Sequence, residues 1–185
     1  MKATVSVLTA SLPDRAEMLA EAKASVSEQD LPRSVQVEHI VAIDHDREGA
    51  GVLLNRCLAL SSGDWVMVLD DDDLLDPDHL ATVLAHPLGG VVYTLPRVTG
   101  GTFAQYHGDF DGEHLLRGHN MVSHNALLPR RLVKMLGGWN PVTAFDLDLF
   151  QRLHQAGVEF HQIRETTWTY RLHGSNLSQG TLTPW

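Results

Sequence analysis

The stretch WVMVLDDDDLLDP, residues 65–77, runs an apolar segment straight into four consecutive aspartates, Asp70 to Asp73, with Asp76 and Asp78 nearby. Two like charges about 4 Å apart repel by about 1 kcal/mol in water and about 4 kcal/mol at an effective dielectric of 20. Such crowding at the end of a buried strand calls for a compensating charge, and a divalent cation supplies one. With the strand extended through Asp72, Asp70 and Asp72 point to one side and Asp71 to the other. Two carboxylates beside a turn suit a hard cation. Mg²⁺ takes one or two carboxylates and completes its shell with water and phosphate oxygens, and Mn²⁺ also accepts imidazole. The plain alternative is a solvated turn entering a helix N-terminus, where carboxylates are favoured. That reading fits Asp76 and Asp78 in DPDHL, whereas Asp70 and Asp72 are read as metal or nucleotide ligands.

Other phosphate and cation signatures are missing from the chain. The acidic run lacks the Gly and Glu positions of an EF-hand loop, and there is no G-x-x-x-x-G-K-[ST], no G-x-G-x-x-G after the first strand and no G-x-S-x-G. Cys57, the single cysteine, lies in the apolar LLNRCLAL, so no intramolecular disulfide or Cys-based zinc site forms. The 14 Lys and Arg against 23 Asp and Glu give a net charge of -9, which disfavours binding to nucleic acid. A composition of 43% hydrophobic and 20% charged residues is that of a folded domain. No apolar run approaches the ~18 residues of a membrane span, and the first one is too short for a signal peptide. A cytoplasmic location is expected.

The elements that position the aspartates follow from periodicity. ATVSVLTA (3–10), VQVEHIVAID (35–44) and DWVMVLD (64–70) read as buried strands; residues 13–29, 50–62 and 77–87 read as helices. Strands alternating with helices imply a mostly parallel sheet with helices on its faces and ligands outside the carboxyl ends of the strands, where Asp44 and Asp70 fall. Beyond residue 87 the pattern becomes irregular. Short strands are expected in GGVVYTLPRVTGGTFAQYHG, MVSHNALLP, VEFHQI and TTWTYRLHG, with helices in PRRLVKMLGG and FDLDLFQRLHQAG. The reading is a single α/β domain, with a nucleotide- and metal-binding half (1–87) and an acceptor and catalytic half (88–185).

These segments, in this order, resemble a family 2 glycosyltransferase of the GT-A fold. The likeness rests on VSVLTASLPDRAEMLAEAKASVSEQ, HIVAID, GAGVLLNRCLALSSGDWVMVLDDDDLLDPDHL, LVKMLGGWNPVTAFDLDLFQRLHQAG and YRLHGSNLS. The resemblance implies a Rossmann-like, mostly parallel sheet with a smaller irregular acceptor side. It also implies a nucleoside-diphosphate sugar donor, Mn²⁺ or Mg²⁺, and hexosyl transfer with inversion to an acceptor hydroxyl on a glycan, lipid carrier, small molecule or protein. By position, Asp70-Asp71-Asp72 is the family's D-x-D. Asp70, Asp72 and His173 are implied metal ligands. Thr9, Ser11, Asp44, Asn55, Asp70 and Asp71 are implied to line the nucleotide pocket, Asp146 to act as general base, and Trp139 and Asp148 to face the acceptor. Homo-oligomerisation is left open.

The chain departs from the family at three places. Phe145 stands where the family has the Glu of a Glu-Asp pair, Leu53-Leu54-Asn55 stands where it often has Ala-Arg-Asn, and the first strand lacks the common Pro-Thr-Tyr-Asn turn. Each candidate also has a structural reading. Asp146 would cap a helix starting near Leu147, His173 would sit in a surface turn, and Trp139 would pack rather than stack on a sugar. Arg15 is read as a helix-surface ion pair rather than a phosphate contact, and His119, Asn120 and His124, which could line the acceptor cleft, are read as exposed loop residues. A non-catalytic nucleotide-sugar or glycan binder, and a nucleotidyltransferase, are the alternative functions.

Overall fold

A computed structural model of the chain describes residues 3–86, 89–101, 108–174 and 176. The β-branched run at the start forms β1 (Ala3–Ser11), and β2 (Val35–Ile43) lies parallel to it, Ala3 opposite Val35 through Ser11 opposite Ile43. On its other side β1 pairs in parallel with β3 (Trp65–Val68), and the short β6 (Leu128–Pro129) closes that edge antiparallel. The order is β2-β1-β3-β6. A second sheet, β4-β7-β5, comprises β4 (Leu74–Leu75), β5 (Val91–Thr99) and β7 (Phe160–Arg171). An antiparallel bridge between Val92 and Leu127 joins the two sheets.

Helices α1 (Ala16–Ser27), α2 (Ala50–Leu60), α3 (His79–Leu84), α4 (Gly112–Leu116), α5 (Arg130–Met135) and α6 (Phe145–Gln155) flank the sheet. Two apolar clusters form the core. One packs Leu54, Cys57 and Leu58 of α2 with Leu149, Phe150 and Leu153 of α6; the other packs Ala22 and Val26 of α1 with Leu80 and Val83 of α3. Cys57 is buried, as its apolar setting predicts.

Three expectations change. The acidic strand ends early, at Val68 rather than Asp70, and Asp71 and Asp72 form a turn closed by the Asp73 N–H donating to the Asp70 carbonyl at 3.2 Å. Alternation of side chains therefore stops before the aspartates. Residues 160–171 form one strand rather than two, as do residues 91–99. The register between them shifts around Leu95 and Pro96, because proline has no N–H to give the ladder. Finally, MVSHNALLP is mostly loop, and only its last two residues are strand. Residues 102–107, within an expected strand-and-turn region, and 175 and 177–178, within YRLHGSNLS, lie outside the described residues.

The interleaving of the halves positions the site. The acidic turn feeds directly into β4, whose Leu74 and Leu75 pair with Thr169 and Trp168 of β7. That pairing lays Arg171 and the residues after it against the aspartates.

Candidate active site

At the carboxyl end of β1, the Ser11 hydroxyl donates to Asp71 Oδ2 at 2.6 Å. The 3₁₀ turn Pro13–Arg15 follows, and brings Arg15 Nη1 to 2.9 Å from Asp71 Oδ1 and 3.0 Å from Asp72 Oδ2. From beyond β7, His173 Nε2 lies 3.0 Å and Asn176 Nδ2 3.3 Å from that same Asp72 oxygen. The Arg171 backbone N–H donates to Asp73 Oδ1 at 2.9 Å, and its guanidinium reaches the Asp72 carbonyl and Glu21. Asp71, Asp72 and Asp73 are thus met by two chain segments, residues 11–15 and 171–176.

The turn sorts the aspartates differently from a strand. Asp71 and Asp72 share Arg15, while Asp70 and Asp73 face His124, whose Nε2 lies 3.7 Å from Asp70 and 3.2 Å from Asp73. His124 is buried in the loop before β6, its ring edge-on to Trp168 at 4.9 Å. Burial alone would lower its pKa, but Asp70, Asp73 and Asp146 outweigh that and push it up to about 9. Asp70 is held above the usual carboxylate range, first by the protein crowded around it and then by Asp72, Asp73 and Asp71, with His124 opposing. Its side chain keeps 44% of its exposure, so water screens part of this effect.

Asp146 lies in the first turn of α6. Its Oδ2 accepts from Asn120 Nδ2 at 2.9 Å, and its charge acts on His124 together with those of Asp70 and Asp73. The helix begins at Phe145 with Ala144 at its cap position and no side-chain capping bond, so Asp146 is not the cap.

The other expected residues separate from this cluster. Asp44, at the end of β2, accepts from the backbone of Glu48 at one oxygen and Gly49 at the other, each at 2.9 Å, and so shapes the loop into α2. These bonds, Gly49's foremost, hold its pKa below the usual range. Thr9 is fully buried, its hydroxyl donating to the Leu69 carbonyl and meeting His39 Nε2 at 2.8 Å. Asn55 grips the backbone of Trp139 at both ends, giving 2.7 Å to its carbonyl and accepting from its N–H at 2.9 Å. Gly138, at φ +77°, allows this approach, because a Cβ there would stand 2.1 Å from Asn55 Oδ1. Trp139 is 2% exposed and belongs to the core, so its burial favours packing over sugar stacking. Asp148 binds Arg152 at 2.7 Å and Asn140 at 3.0 Å, and Arg152 continues to the carbonyls of Leu136 and Gly138. Asn55, Trp139 and Asp148 form a latch around the Gly137-Gly138 turn.

The model of glycosyl transferase family 2 matches residues 11–150. The chain belongs to glycosyltransferase family 2. Its GT-A fold is shared with solved structures of low identity. Staphylococcus aureus TarS, residues 1–349 in complex with UDP-GlcNAc, superposes at TM-score 0.77 with 15% identity, covering 98% of this chain and 62% of TarS. The mannosyltransferase PcManGT of Pyrobaculum calidifontis, in complex with GDP-Man and Mn²⁺, gives 0.72 and 18%, covering 97% and 60%. An uncharacterised protein of Sinorhizobium fredii, y4gI, is 31% identical over 128 residues, 63% of this chain and 14% of that protein. The family 2 chain therefore spans under two thirds of each of these relatives. No helix among its described residues is long and apolar enough to cross a membrane.

The donor set of this family 2 chain fits a divalent cation. Asp73 Oδ2 and His124 Nε2 are buried without a hydrogen bond, although they lie 3.2 Å apart. With Asp70 they offer three ligand atoms all within 4.8 Å of one another. Carboxylate oxygens with an imidazole suit Mn²⁺ well and Mg²⁺ less well. Arg15, Asn120, His124, Arg171 and Asn176 were not assigned to the site from sequence. Arg171 and Asn176 had a signal, since both lie in the YRLHGSNLS segment that suggested His173. For Arg15 the signal was Pro13, which opens the 3₁₀ turn ahead of α1; Arg15 ends that turn and meets Asp71 and Asp72.

Proposed function

We propose that this chain is a metal-dependent inverting glycosyltransferase of hexosyl type, moving a sugar from a nucleoside-diphosphate donor to an acceptor hydroxyl. One observation carries the reading: the charge of Asp146 acts on the buried His124, which lies 3.7 Å from Asp70 and 3.2 Å from Asp73, so a base stands near the turn where a diphosphate would be held. The ligands in the TarS and PcManGT structures support a nucleotide-sugar donor and a divalent ion, Mn²⁺ or Mg²⁺.

By the family motif Asp70, Asp72 and His173 would hold that ion; the ligand atoms that lie within 4.8 Å of one another are those of Asp70, Asp73 and His124. When bound, the ion offsets charge that grows on the departing diphosphate. Ser11 and Arg15 fix Asp71, and Asp44 shapes the nucleotide side of the cleft. Asn120 holds one oxygen of Asp146 and so orients the carboxylate. Asp146 takes the acceptor proton as the hydroxyl oxygen bonds to the anomeric carbon and the carbon–phosphate-oxygen bond breaks. The single displacement inverts that carbon and needs one base.

The test is turnover of UDP-, GDP-, CDP- and dTDP-sugars with Mn²⁺, comparing the wild type with Asp146→Asn. Asn cannot accept the proton, so kcat should fall by about 10²- to 10⁴-fold while nucleotide affinity holds. Equal turnover in the two proteins removes Asp146 from the role of base. Nucleotide-sugar binding with no turnover in the wild type favours the non-catalytic binder, a reading that Phe145 supports.

A further inference from the structure

The cations of the chain are not equivalent. Arg15, Arg56, Arg97, Arg152 and Arg171 each pair with a carboxylate. Arg130, Arg131 and Lys134, close together in sequence at α5, pair with none among the described residues. They stand at the start of β3, whereas the acidic turn stands beyond its end, roughly 16 Å further along the chain direction. A cavity of about 560 Å³ opens there, walled by Trp65, Pro129 and the three cations. Arg130 is fixed but not neutralised. Its Nε and Nη1 donate to the carbonyls of Gly63 and Ser61, which hold the guanidinium in place and leave its charge whole. Arg131 and Lys134 are exposed and share one face of α5, being a helical turn apart. The carboxylate on the wall is Asp64, whose Oδ2 accepts the Thr4 N–H at 3.2 Å. Glu38 approaches the same loop, but its oxygens accept from Ser6, Ser62 and Gly63. The wall therefore carries a local excess of positive charge on a chain of net charge -9.

We propose that this cavity, walled by Trp65, Pro129, Arg130, Arg131 and Lys134, binds the phosphoryl group of a ligand other than the sugar donor. The inference does not rest on the glycosyltransferase reading, because none of these residues belongs to the candidate active site. Charge selects the ligand. A phosphoryl group brings up to two negative charges and three acceptor oxygens, which suit several cations at once better than a single carboxylate does. Arginine meets such oxygens with its planar fork, and lysine adds a point charge. The anchored Arg130 needs little ordering to serve, and binding gains from groups already in place. The volume exceeds that of a phosphate, so an organic portion has room beside the Trp65 and Pro129 wall. The phosphoryl group comes either from a soluble phosphate ester or from a lipid head group, and the same cations serve both.

The test titrates the whole chain with pyrophosphate by calorimetry, with EDTA present so that no divalent ion recruits the anion to the acidic turn. Amide shifts of Gly63, Trp65 and Arg131 in NMR spectra locate the binding. A parallel arm measures co-sedimentation with vesicles of phosphatidic acid in phosphatidylcholine, against phosphatidylcholine alone. The wild type should bind in at least one arm. Arg131→Gln combined with Lys134→Gln should weaken that binding about tenfold or more, the scale of lost charged hydrogen-bond partners. Both positions are exposed, so this variant keeps the fold if Arg130→Gln does not. Binding of pyrophosphate supports the site and gives it a soluble ester; binding of the anionic vesicles alone supports it and gives it a head group. No binding in either arm, equal binding by the double variant, or shifts confined to residues 70–73 overturns the inference. Mn²⁺-dependent titration with UDP, GDP, CDP and dTDP should be the same in the wild type and the double variant. A wild type that binds none of those nucleotides counts against the glycosyltransferase reading and leaves this site untouched.

Discussion

The acidic turn at Asp70–Asp73 and the latch around Trp139 are both polar and both join segments distant in sequence, yet they are finished to different degrees. In the latch, Asn55 matches its carbonyl and amide to the N–H and carbonyl of Trp139, and Arg152 spreads its donors over Asp148 and two backbone carbonyls. In the turn, three donors crowd onto Asp72 Oδ2, while Asp73 Oδ2 and His124 Nε2 meet without a hydrogen bond. A network whose donors and acceptors are matched has the form of scaffold; one left with surplus charge is prepared for something else. Family position alone assigned Asn55, Trp139 and Asp148 to binding, and the contrast in bonding is what moves them toward scaffold.

The largest way to sharpen the contrast is pH, because the histidines of scaffold and site move in opposite directions. His79 opens α3 and is fully buried, its Nδ1 2.8 Å from the Thr167 hydroxyl of β7, and burial lowers its pKa to about 4; His39 is likewise lowered to about 4. A histidine depressed below its unfolded value of about 6.5 gives stability that is present above pH 6.5 and is lost as pH falls toward 4. His79 alone should remove roughly 3 kcal/mol over that range. His124 is raised to about 9, so its contribution is complete below pH 6.5 and disappears as pH rises through 9. Urea midpoints across pH 4 to 10 should trace a dome. His79→Gln should flatten the acid limb and leave the alkaline limb, and His124→Gln the reverse. One limb responding to both substitutions would erase the distinction.

Breaking the latch comes next. Asn55→Ala removes two bonds and leaves the Trp139 N–H and carbonyl buried and unmatched, at a cost of about 2–3 kcal/mol in unfolding free energy. If Asn55 is scaffold, the folded variant should bind nucleotide with Mn²⁺ as the wild type does. A loss of affinity with unchanged stability would return Asn55 to the nucleotide pocket, where its place in the family motif put it.

This contrast was only partly legible in the sequence. The parallel core was readable, because β-branched runs alternating with helical spacing leave few other folds for residues 3–84. The long β5 and β7 were not, since Thr and Pro in β5 and the Arg-Glu-Thr-Thr run in β7 interrupt their apolar pattern while pairing across the sheet holds them extended. At the site, the aspartates drew attention by type and order and Asp146 by its place in the family motif, but their grouping was not legible. The pairing of Asp70 with Asp73 depends on a turn, and His124 comes from a loop over fifty residues further on. The latch was hidden for the same reason, since Asn55 and Trp139 lie 84 residues apart.

The smallest expected change in stability is the most telling. Asp72→Asn keeps nearly the same shape, so His173, Asn176 and Arg15 still surround it, but one charge leaves a crowded cluster. Its loss weakens the pair with Arg15 while relieving repulsion among four neighbouring carboxylates, and those effects oppose each other. Unfolding free energy should therefore shift by less than about 1 kcal/mol, in either direction. Mn²⁺-dependent nucleotide binding should nevertheless fall by about tenfold or more, because an amide oxygen is a poor replacement for a charged ligand. A folded Asp72→Asn protein with normal Mn²⁺ and nucleotide affinity would mean that the cation is held on the other pair, Asp70 and Asp73 with His124. The surplus charge would still mark the site, but its working half would be the one that the turn, and not the D-x-D spacing, brings together.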